Sequence, residues 1–399
     1  MTSEPAGVCA QQPSGRRVVL VEFPPSGGLF QFAVQLGEAL ARAGDQVEIV
    51  TGPAPELSSR EPDCRLRSIL PTWHPTAGAG APEWWRRLRR LVRGGQHTTA
   101  WVVLLAYLLW TRPDIVVWSS WRFSVDGWGV HLVRRVLPKA VLALVAHEPR
   151  PLVEQPGQIG LYKTSKATHR ALARAHADLD VAFVFGESAK RALAETWPIA
   201  APIRVIPHGD ERIFVSTDVP GADSTGPVAL SFGTIRKYKG IDTLCDAWPM
   251  VRARVPKAEL YIVGSLLADQ NESVLRAQTA PLPGVHLHIG YVPIDDVPQY
   301  FVRARCVVLP YKHSSQSGVA HLAHTLRRPV VATNVGDIPS VVSHEVTGLL
   351  VDPDNPASLA HALIRLLTDS ATAREMGDSG ERALASWDSV ASQLRSGLP

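Results

Sequence analysis

LPYKHSSQSGVAHLAHTLRRPVVATNVG, residues Leu309 to Gly336, holds three elements in a fixed order. The apolar run Cys306-Val307-Val308-Leu309-Pro310 reads as a buried strand. Small residues follow, Ser314-Ser315-Gln316-Ser317-Gly318, and open a helix predicted over Val319 to Leu326. A second apolar strand, Pro329 to Thr333, comes next. The turn therefore falls at the carboxyl end of a strand and at a helix N-terminus. Unpaired amides and the helix dipole there favour an anion, typically a phosphate. Ser317 and Gly318 put no bulk between such a ligand and the amides. The pattern reads as a diphosphate cradle, and an ordinary Ser/Gly helix cap fits the same residues.

The same β-turn-α-β grammar runs through the rest of the chain. Arg17 to Phe23 is a near-continuous apolar strand, followed by Pro24-Pro25-Ser26-Gly27-Gly28, a helix from Leu29 to Ala43 and a strand from Gln46 to Val50. That order opens a doubly wound α/β domain. Residues 52–80, rich in Pro, Ser and Gly, read as loop. Further strands are predicted at 113–118, 140–146, 180–185 and 203–206. The 140–146 strand runs into His147, where parallel sheets place ligands and catalytic groups; a His that caps the strand is the plainer reading. STDVPGADSTG, residues 216–226, reads as a linker, and βα alternation restarts at Val228. Strands 228–232, 259–263 and 285–289, a helix at 241–254 bent at Pro249, and closing helices at 356–368 and 372–385 complete the second half. The expected layout is a loose tail at 1–16, two Rossmann-like α/β domains at 17–215 and 227–385 facing across a cleft, and a tail at 386–399, free or returning to the first domain.

Composition narrows the class. With 399 residues there is chain enough for two cores, and 45% hydrophobic against 20% charged residues excludes a disordered protein. A net charge of +4 gives a nucleic-acid role no support. Cys9, Cys64, Cys245 and Cys306 lack paired spacing, so neither a disulfide framework nor a zinc site is expected, which suits the cytoplasm. Residues 1–16 lack the apolar core of a signal peptide. The longest apolar run, Trp101 to Trp110, is short for a membrane span and is expected to be a buried helix. Trp84 to Arg93, WWRRLRRLVR, predicts a basic amphipathic helix. It can rest on an anionic membrane surface as a peripheral contact, or be a solvated helix docked on the sheet.

Loops at three strand ends of the second half converge on the cradle. Gly233 to Gly240 offers Arg236, Lys237 and Lys239, and Gly264 and Tyr291 mark places where backbone can contact a planar base. Cations with helix N-terminal amides can hold a pyrophosphate without a metal. A lysine-rich loop alone is usually a solvated turn; with the cradle beside it, a nucleotide site is the better reading.

FGTIRKYKGIDTLCDAW (232–248), LYIVGS (260–265), HIGYVPIDDVPQYFVRARCVVLPY (288–311) and QSGVAHLAHTLRRPVVATNVGDIPSVVSHEVTGLLVDPDNP (316–356) follow one another as in a known family. Their succession resembles the GT-B glycosyltransferases of the retaining family 4 type. The first half matches more loosely, through Ser26-Gly27-Gly28 and His147. The resemblance implies a GT-B fold with an acceptor domain first and a nucleotide-sugar donor domain second. It implies a retaining transfer from a nucleoside-diphosphate sugar (UDP, GDP or dTDP) to a small-molecule or lipid-linked glycan hydroxyl, with no cofactor and no metal. Lys239 with Arg236 would hold the diphosphate, Ser317, Gly318 and Val319 would bind its oxygens through amides, and Tyr291 and Gly264 would border the base. Gly27 and Gly28 would approach phosphate or acceptor from the other domain, and His147 would face the donor sugar and stabilise charge at the reacting carbon.

Three departures from the family pattern stand out. Its two Glu, seven residues apart, fall at Ser314 and Leu322; its Arg after the strand-end Gly falls at Thr234; and its Glu in the GGxPE-type segment falls at Ser340. A subgroup with FGxIRxYKG and QSGV lacks the Glu pair, so these changes do not imply inactivation. A non-catalytic nucleotide-sugar-binding subunit, or an epimerase or phosphorylase of the same architecture, are the other readings.

Overall fold

A computed structural model describes residues 15–72, 83–150, 152–155, 158–161, 165–215, 219–267, 269–313 and 317–399, with side chains outside 83–93 and 152–161. In the first half, strand β1 (Arg17–Glu22), helix α1 (Gly28–Arg42), β2 (Gln46–Thr51), β3 (Cys64–Arg67), α2 (Glu83–Thr111), β4 (Ile115–Trp118), α3 (Ser124–Val136) and β5 (Val141–Val145) come in turn. A hairpin, β6 (Leu152–Gln155) and β7 (Gln158–Leu161), precedes α4 (Lys166–Ala177), β8 (Val181–Val184), α5 (Glu187–Thr196) and β9 (Ile203–Val205). The second half runs β10 (Val228–Phe232), α6 (Ile241–Arg254), β11 (Glu259–Gly264), α7 (Glu272–Thr279), β12 (Val285–Ile289), α8 (Val297–Arg303) and β13 (Cys306–Leu309). It ends with α9 (Gly318–Thr325), β14 (Val330–Thr333), β15 (Gly348–Val351), α10 (Pro356–Thr368), α11 (Ser370–Ala383) and α12 (Trp387–Gly397).

Two parallel sheets result, ordered β3-β2-β1-β4-β5-β8-β9 and β12-β11-β10-β13-β14-β15. Such sheets are covered on both faces, and their strands accordingly read as near-continuous apolar runs. In each sheet the strand order reverses once, between β1 and β4 in the first and between β10 and β13 in the second. A doubly wound sheet opens a crevice for ligands at that reversal, outside the carboxyl ends of its strands. Strand alternation sorts the first core into two layers: Val19, Val21 and Trp118 pack with α2 and α3, while Val18, Leu20, Val117 and Val145 pack beneath α1.

Several sequence expectations are refined. The 52–80 stretch is not wholly loop, because Cys64–Arg67 adds the parallel edge strand β3 beside β2. Four residues are too few for periodicity to show above turn-rich flanks. Trp84–Arg93 and Trp101–Trp110 belong to one continuous helix, α2, and the side chains of Trp84–Arg93 lie outside those described. Trp101–Trp110 is buried on one side only: Trp101, Leu104 and Leu108 are covered, whereas Val102, Leu109 and Trp110 are exposed. No described helix is long and apolar enough to cross a membrane. Pro249 sits inside α6 as expected, and part of the 216–226 connection is packed, with Ala222 buried in the second core.

Side chains from both halves stitch the domains together. Asp337, after β14, accepts hydrogen bonds from the Ser188 and Ala189 amides at 3.1 and 2.9 Å, capping α5 of the other domain. A β-carbon at Gly186 would lie 2.3 Å from that carboxyl carbon, so the cap needs glycine there. Helix α12 returns to the first domain, where Trp387, Val390, Ala391 and Leu394 join the layer under α1.

Inside the second domain Arg328 is fully buried and donates to the carbonyls of Phe301 (2.8 Å), Pro220 (2.9 Å) and Val302 (3.1 Å). Burial pulls its pKa down to about 10, leaving it charged at neutral pH. Arg328→Leu would strand those carbonyls in a dry core and should lower stability by about 3 kcal/mol. A fall in the urea midpoint of the second domain is the expected reading; an unchanged midpoint would show that other donors take over.

Candidate functional site

At the β10/β13 reversal two loops lie against each other. Ile235 N–H donates to the Ser265 carbonyl at 2.8 Å and Lys312 N–H to the Tyr238 carbonyl at 2.8 Å, which holds the 233–240 loop across the ends of β11 and β13. Gly240 (φ 67°) and Gly264 (φ 151°) make this possible. A β-carbon at either would lie 1.8 Å from a carbonyl oxygen, of Pro310 and of Gly233 respectively. Gly264 is thus explained by strand-end packing, a different need from the base contact expected of it.

Lys239 points into this junction. Its Nζ sits 3.8 Å from the centroid of the Tyr311 ring and 5.2 Å from that of Tyr238. Burial pulls its pKa below the ordinary lysine range, and Arg236 pushes the same way against an opposing pull from Tyr238. No carboxylate lies within ion-pair distance of it among the described residues. The Tyr311 hydroxyl is 3.2 Å from Ser317 Oγ. Ser317, itself buried, is the N-cap of α9, whose first residues are Gly318 and Val319. A β-carbon on Gly318 would meet nothing within 4 Å, whereas one on Gly233 would touch Val319 at 3.4 Å. Lys239, Tyr311 and the α9 N-terminus therefore form one contiguous surface with open space at Gly318. Residues 314–316 of the expected turn lie outside those described.

Arg236 stands differently from its expected role. Its Nε is 3.8 Å from Asp269, whose carboxylate also accepts the Lys237 amide at 3.1 Å, so an acid already faces this guanidinium. Leu322, where the family pattern has Glu, is buried in the apolar layer with Leu309 and Ala320. Thr234 is exposed, and Ser340 donates to the Asp337 carbonyl at 2.6 Å.

From the other side of the cleft come Gly27 and Gly28, which open α1 and also face open space. Gly27 N–H donates to Glu56 at 2.9 Å, and Gln31 Nε2 reaches the same oxygen at 3.3 Å. The other Glu56 oxygen accepts the hydroxyl of Tyr291, which spans from the end of β12 to the first domain. Tyr291 thereby latches the two halves, a contact the sequence reading did not include. Burial and this bond raise its phenol pKa. Glu56 sits in a Pro-rich loop and Tyr291 lies 235 positions away, so no local pattern signals the pair.

His147 projects from the end of β5 beneath α1. Its ring meets Phe32 edge-on at 4.6 Å and Phe185 at 4.8 Å, and its Nε2 is buried without a protein partner. Burial, then His208, pushes its pKa down to about 3. The imidazole is consequently neutral, and any stabilisation it offers is that of a dipole.

Behind both helix N-termini runs a hydrogen-bonded seam. Gln35 of α1 donates to Glu211 at 3.2 Å, the Glu211 amide to Thr325 Oγ1 at 2.9 Å, and that hydroxyl to the His321 carbonyl at 2.9 Å. His321 Nδ1 in turn donates to the Ser317 carbonyl at 3.1 Å, and its ring lies 4.3 Å from that of His208. Burial raises Glu211 to about 8 and lowers His208 to about 4, so the seam carries little charge at neutral pH.

Comparisons with known proteins agree with this arrangement. The model described as Glycosyltransferase Family 4 matches residues 26–209, and that described as Glycosyl transferases group 1 matches residues 226–369. D-inositol 3-phosphate glycosyltransferase of Jonesia denitrificans is 26% identical, over 92% of this chain and 90% of its own. The GDP-mannose-dependent alpha-(1-6)-phosphatidylinositol monomannoside mannosyltransferase of Mycobacterium tuberculosis is also 26% identical, over 95% and 97%. Among solved structures, sucrose-phosphate synthase from Thermosynechococcus elongatus superposes with a TM-score of 0.71 at 23% identity, covering 96% of this chain and 98% of that one. Anabaena HepE in complex with UDP and glucose gives 0.64 at 14%, with the same coverages. One family description falls on each of the two doubly wound domains, relatives align along nearly the whole length, and the fold neighbours superpose over 96% of the chain: the chain belongs to the GT-B glycosyltransferases of the family 4 type.

Proposed function

We propose that this glycosyltransferase moves a sugar from a nucleoside-diphosphate donor, bound at the β10/β13 reversal, to a hydroxyl acceptor held by the first domain, with retention at the anomeric carbon. One observation carries the reading: Lys239 is a half-buried cation with no carboxylate partner among the described residues, and it adjoins the open N-terminus of α9. A desolvated charge is costly unless an opposite charge meets it. A diphosphate supplies that charge, and the α9 amides supply donors for its oxygens. As the bond to the anomeric carbon breaks, negative charge gathers on the departing phosphate, where Lys239 and the amides of 317–319 stabilise it most. These groups meet the charge without a metal. The departing phosphate oxygen takes the proton of the attacking hydroxyl on the same face of the sugar. Closure through Tyr291–Glu56 excludes water from the donor.

Two relatives are named for acceptors bearing inositol. The acceptor proposed here is correspondingly a polyhydroxylated cell-envelope, exopolysaccharide or secondary-metabolite compound. The protein acts in the cytoplasm. The basic segment Trp84–Arg93 gives it a peripheral, salt-sensitive hold on anionic membrane.

Lys239→Ala should weaken the preferred nucleoside diphosphate by about tenfold to a hundredfold, the worth of a charge-assisted bond. Calorimetry with UDP, GDP and dTDP reads this, and equal affinity would remove Lys239 from the site. His147→Ala should leave that affinity near its original value while kcat falls by about a hundredfold, as for loss of a positioned polar group. Since the wild-type imidazole is neutral above about pH 3, its kcat profile should show no inflection at the ordinary histidine pKa. An inflection there that His147→Ala abolishes would mean the residue works as a cation.

A further inference from the structure

The first domain has its own reversal, between β1 and β4, which the nucleotide reading leaves unassigned. Three strand ends meet there. Glu22 ends β1, Ser119 follows β4, and His147 follows β5, neighbours in the sheet. Alternation puts all three on the face under α1, because Leu20, Val117 and Val145, two positions before each, belong to that layer. Glu22 is 3% exposed. Ser119 lies beside its carboxyl, and one oxygen, Oε1, is buried with no partner. Ser26 Oγ, in the loop between β1 and α1, is likewise buried and unpartnered, and so is His147 Nε2.

Buried polar groups are almost always paired, and an unpaired one is explained by a ligand, a water or strain. Three at a single reversal, beside two glycines that face open space, describe a site built to receive hydrogen-bonding groups. Two carboxyls border it: Glu56 already takes the Gly27 amide at the α1 N-terminus, and Glu22 lies nearby in sequence. Arg122 is the cation that acts on Glu22, favouring its ionised form. A neutral polyol fits the unpaired atoms, since adjacent hydroxyls can donate to Glu22 Oε1 and share with Ser26 Oγ.

We propose that this crevice is the acceptor subsite and that it grips a vicinal diol of a neutral polyol through Glu22 and Ser26. The proposal deepens the sugar-transfer reading above and rests on it for the word acceptor. The diol contacts themselves stand on the first domain alone. Asp126 steadies the loop after β4 from below, accepting the Arg122 and Phe123 amides at 2.7 and 2.8 Å and Trp101 Nε1 at 2.7 Å. Burial raises the Glu22 carboxyl to about 7, so a diol that prefers the ionised form should bind more tightly as pH rises through that value.

Saturation-transfer NMR tests this with myo-inositol as the vicinal polyol and cyclohexanol as the monohydroxy control, on protein with and without whichever of UDP, GDP or dTDP raises its melting temperature most. Myo-inositol should bind and cyclohexanol should not. Glu22→Gln should weaken myo-inositol by at least about tenfold, the loss of a charge-assisted bond, and should abolish the rise with pH, with nucleotide affinity kept. Ser26→Ala, which removes only a hydroxyl, should weaken it by a smaller factor and carries the test if Glu22→Gln does not fold by melting curve. Equal binding to wild type and both folded variants, or no myo-inositol binding by wild type, overturns the subsite while leaving the nucleotide reading intact. Failure of every nucleotide to bind counts against sugar transfer, and polyol binding lost in Glu22→Gln would still support the crevice.

Discussion

A half-buried ammonium against a tyrosine face organises the second domain's working edge. Drawing an ammonium partly out of water is costly, and a cation–π contact offsets part of that cost. Lys239 makes that contact with Tyr311 at 3.8 Å and has burial, not a carboxylate, as its chief neighbour. The backbone around it is arranged to keep the charge in place. Gly240 lets the loop pass the Pro310 carbonyl, Lys312 N–H ties it to Tyr238, and the Tyr311 hydroxyl reaches the cap of α9. Arg236, a neighbour by sequence, faces Asp269. Two cations three positions apart in one loop thus have unlike electrostatic surroundings, and the less compensated of them is the one suited to an incoming anion.

Contacts between the halves fall into two kinds. Near the α9 and α1 N-termini they run through hydrogen bonds, from the Glu211 amide to Thr325 Oγ1 and from Tyr291 to Glu56. Farther out, Asp337 caps α5 and α12 lies on α1. The first kind is short-ranged and directional, so a small rotation breaks it. The apolar seat of α12 tolerates sliding. This division places the directional bonds beside the proposed ligand and the apolar seat of α12 away from it.

Doubly wound order, the glycine-bounded loop and the start of α9 were legible because each is local: successive strands and helices lie within about thirty residues and obey fixed periodicities. His147 was legible for the same reason, as a polar residue closing an apolar run. What stayed hidden depends on pairs distant in sequence. Glu56 with Tyr291, Asp337 with the α5 amides, and Glu211 with Gln35 and Thr325 join residues more than a hundred positions apart. No single-chain pattern encodes that proximity. The one-sided burial of Trp101–Trp110 was hidden differently, because a helix apolar all round gives periodicity nothing to count.

The two reversals are built alike in backbone and differ in charge. Each sets a glycine-bearing loop after its first strand against the end of the strand across the switch. In the second domain the side chains supplied are a cation and amides, with the family's Glu replaced by a buried Leu322. In the first they are carboxyls and a neutral imidazole, with the helix amide already occupied by Glu56. The proposed transfer joins a twice-negative leaving group to an uncharged hydroxyl, and the two crevices differ to match. A carboxyl beside Lys239 would compete with a diphosphate for the cation, and the acid that meets that loop, Asp269, faces Arg236 instead. On the other sheet Glu56 takes the Gly27 amide and Arg122 favours the ionised form of Glu22, an arrangement suited to a neutral hydroxyl-bearing ligand.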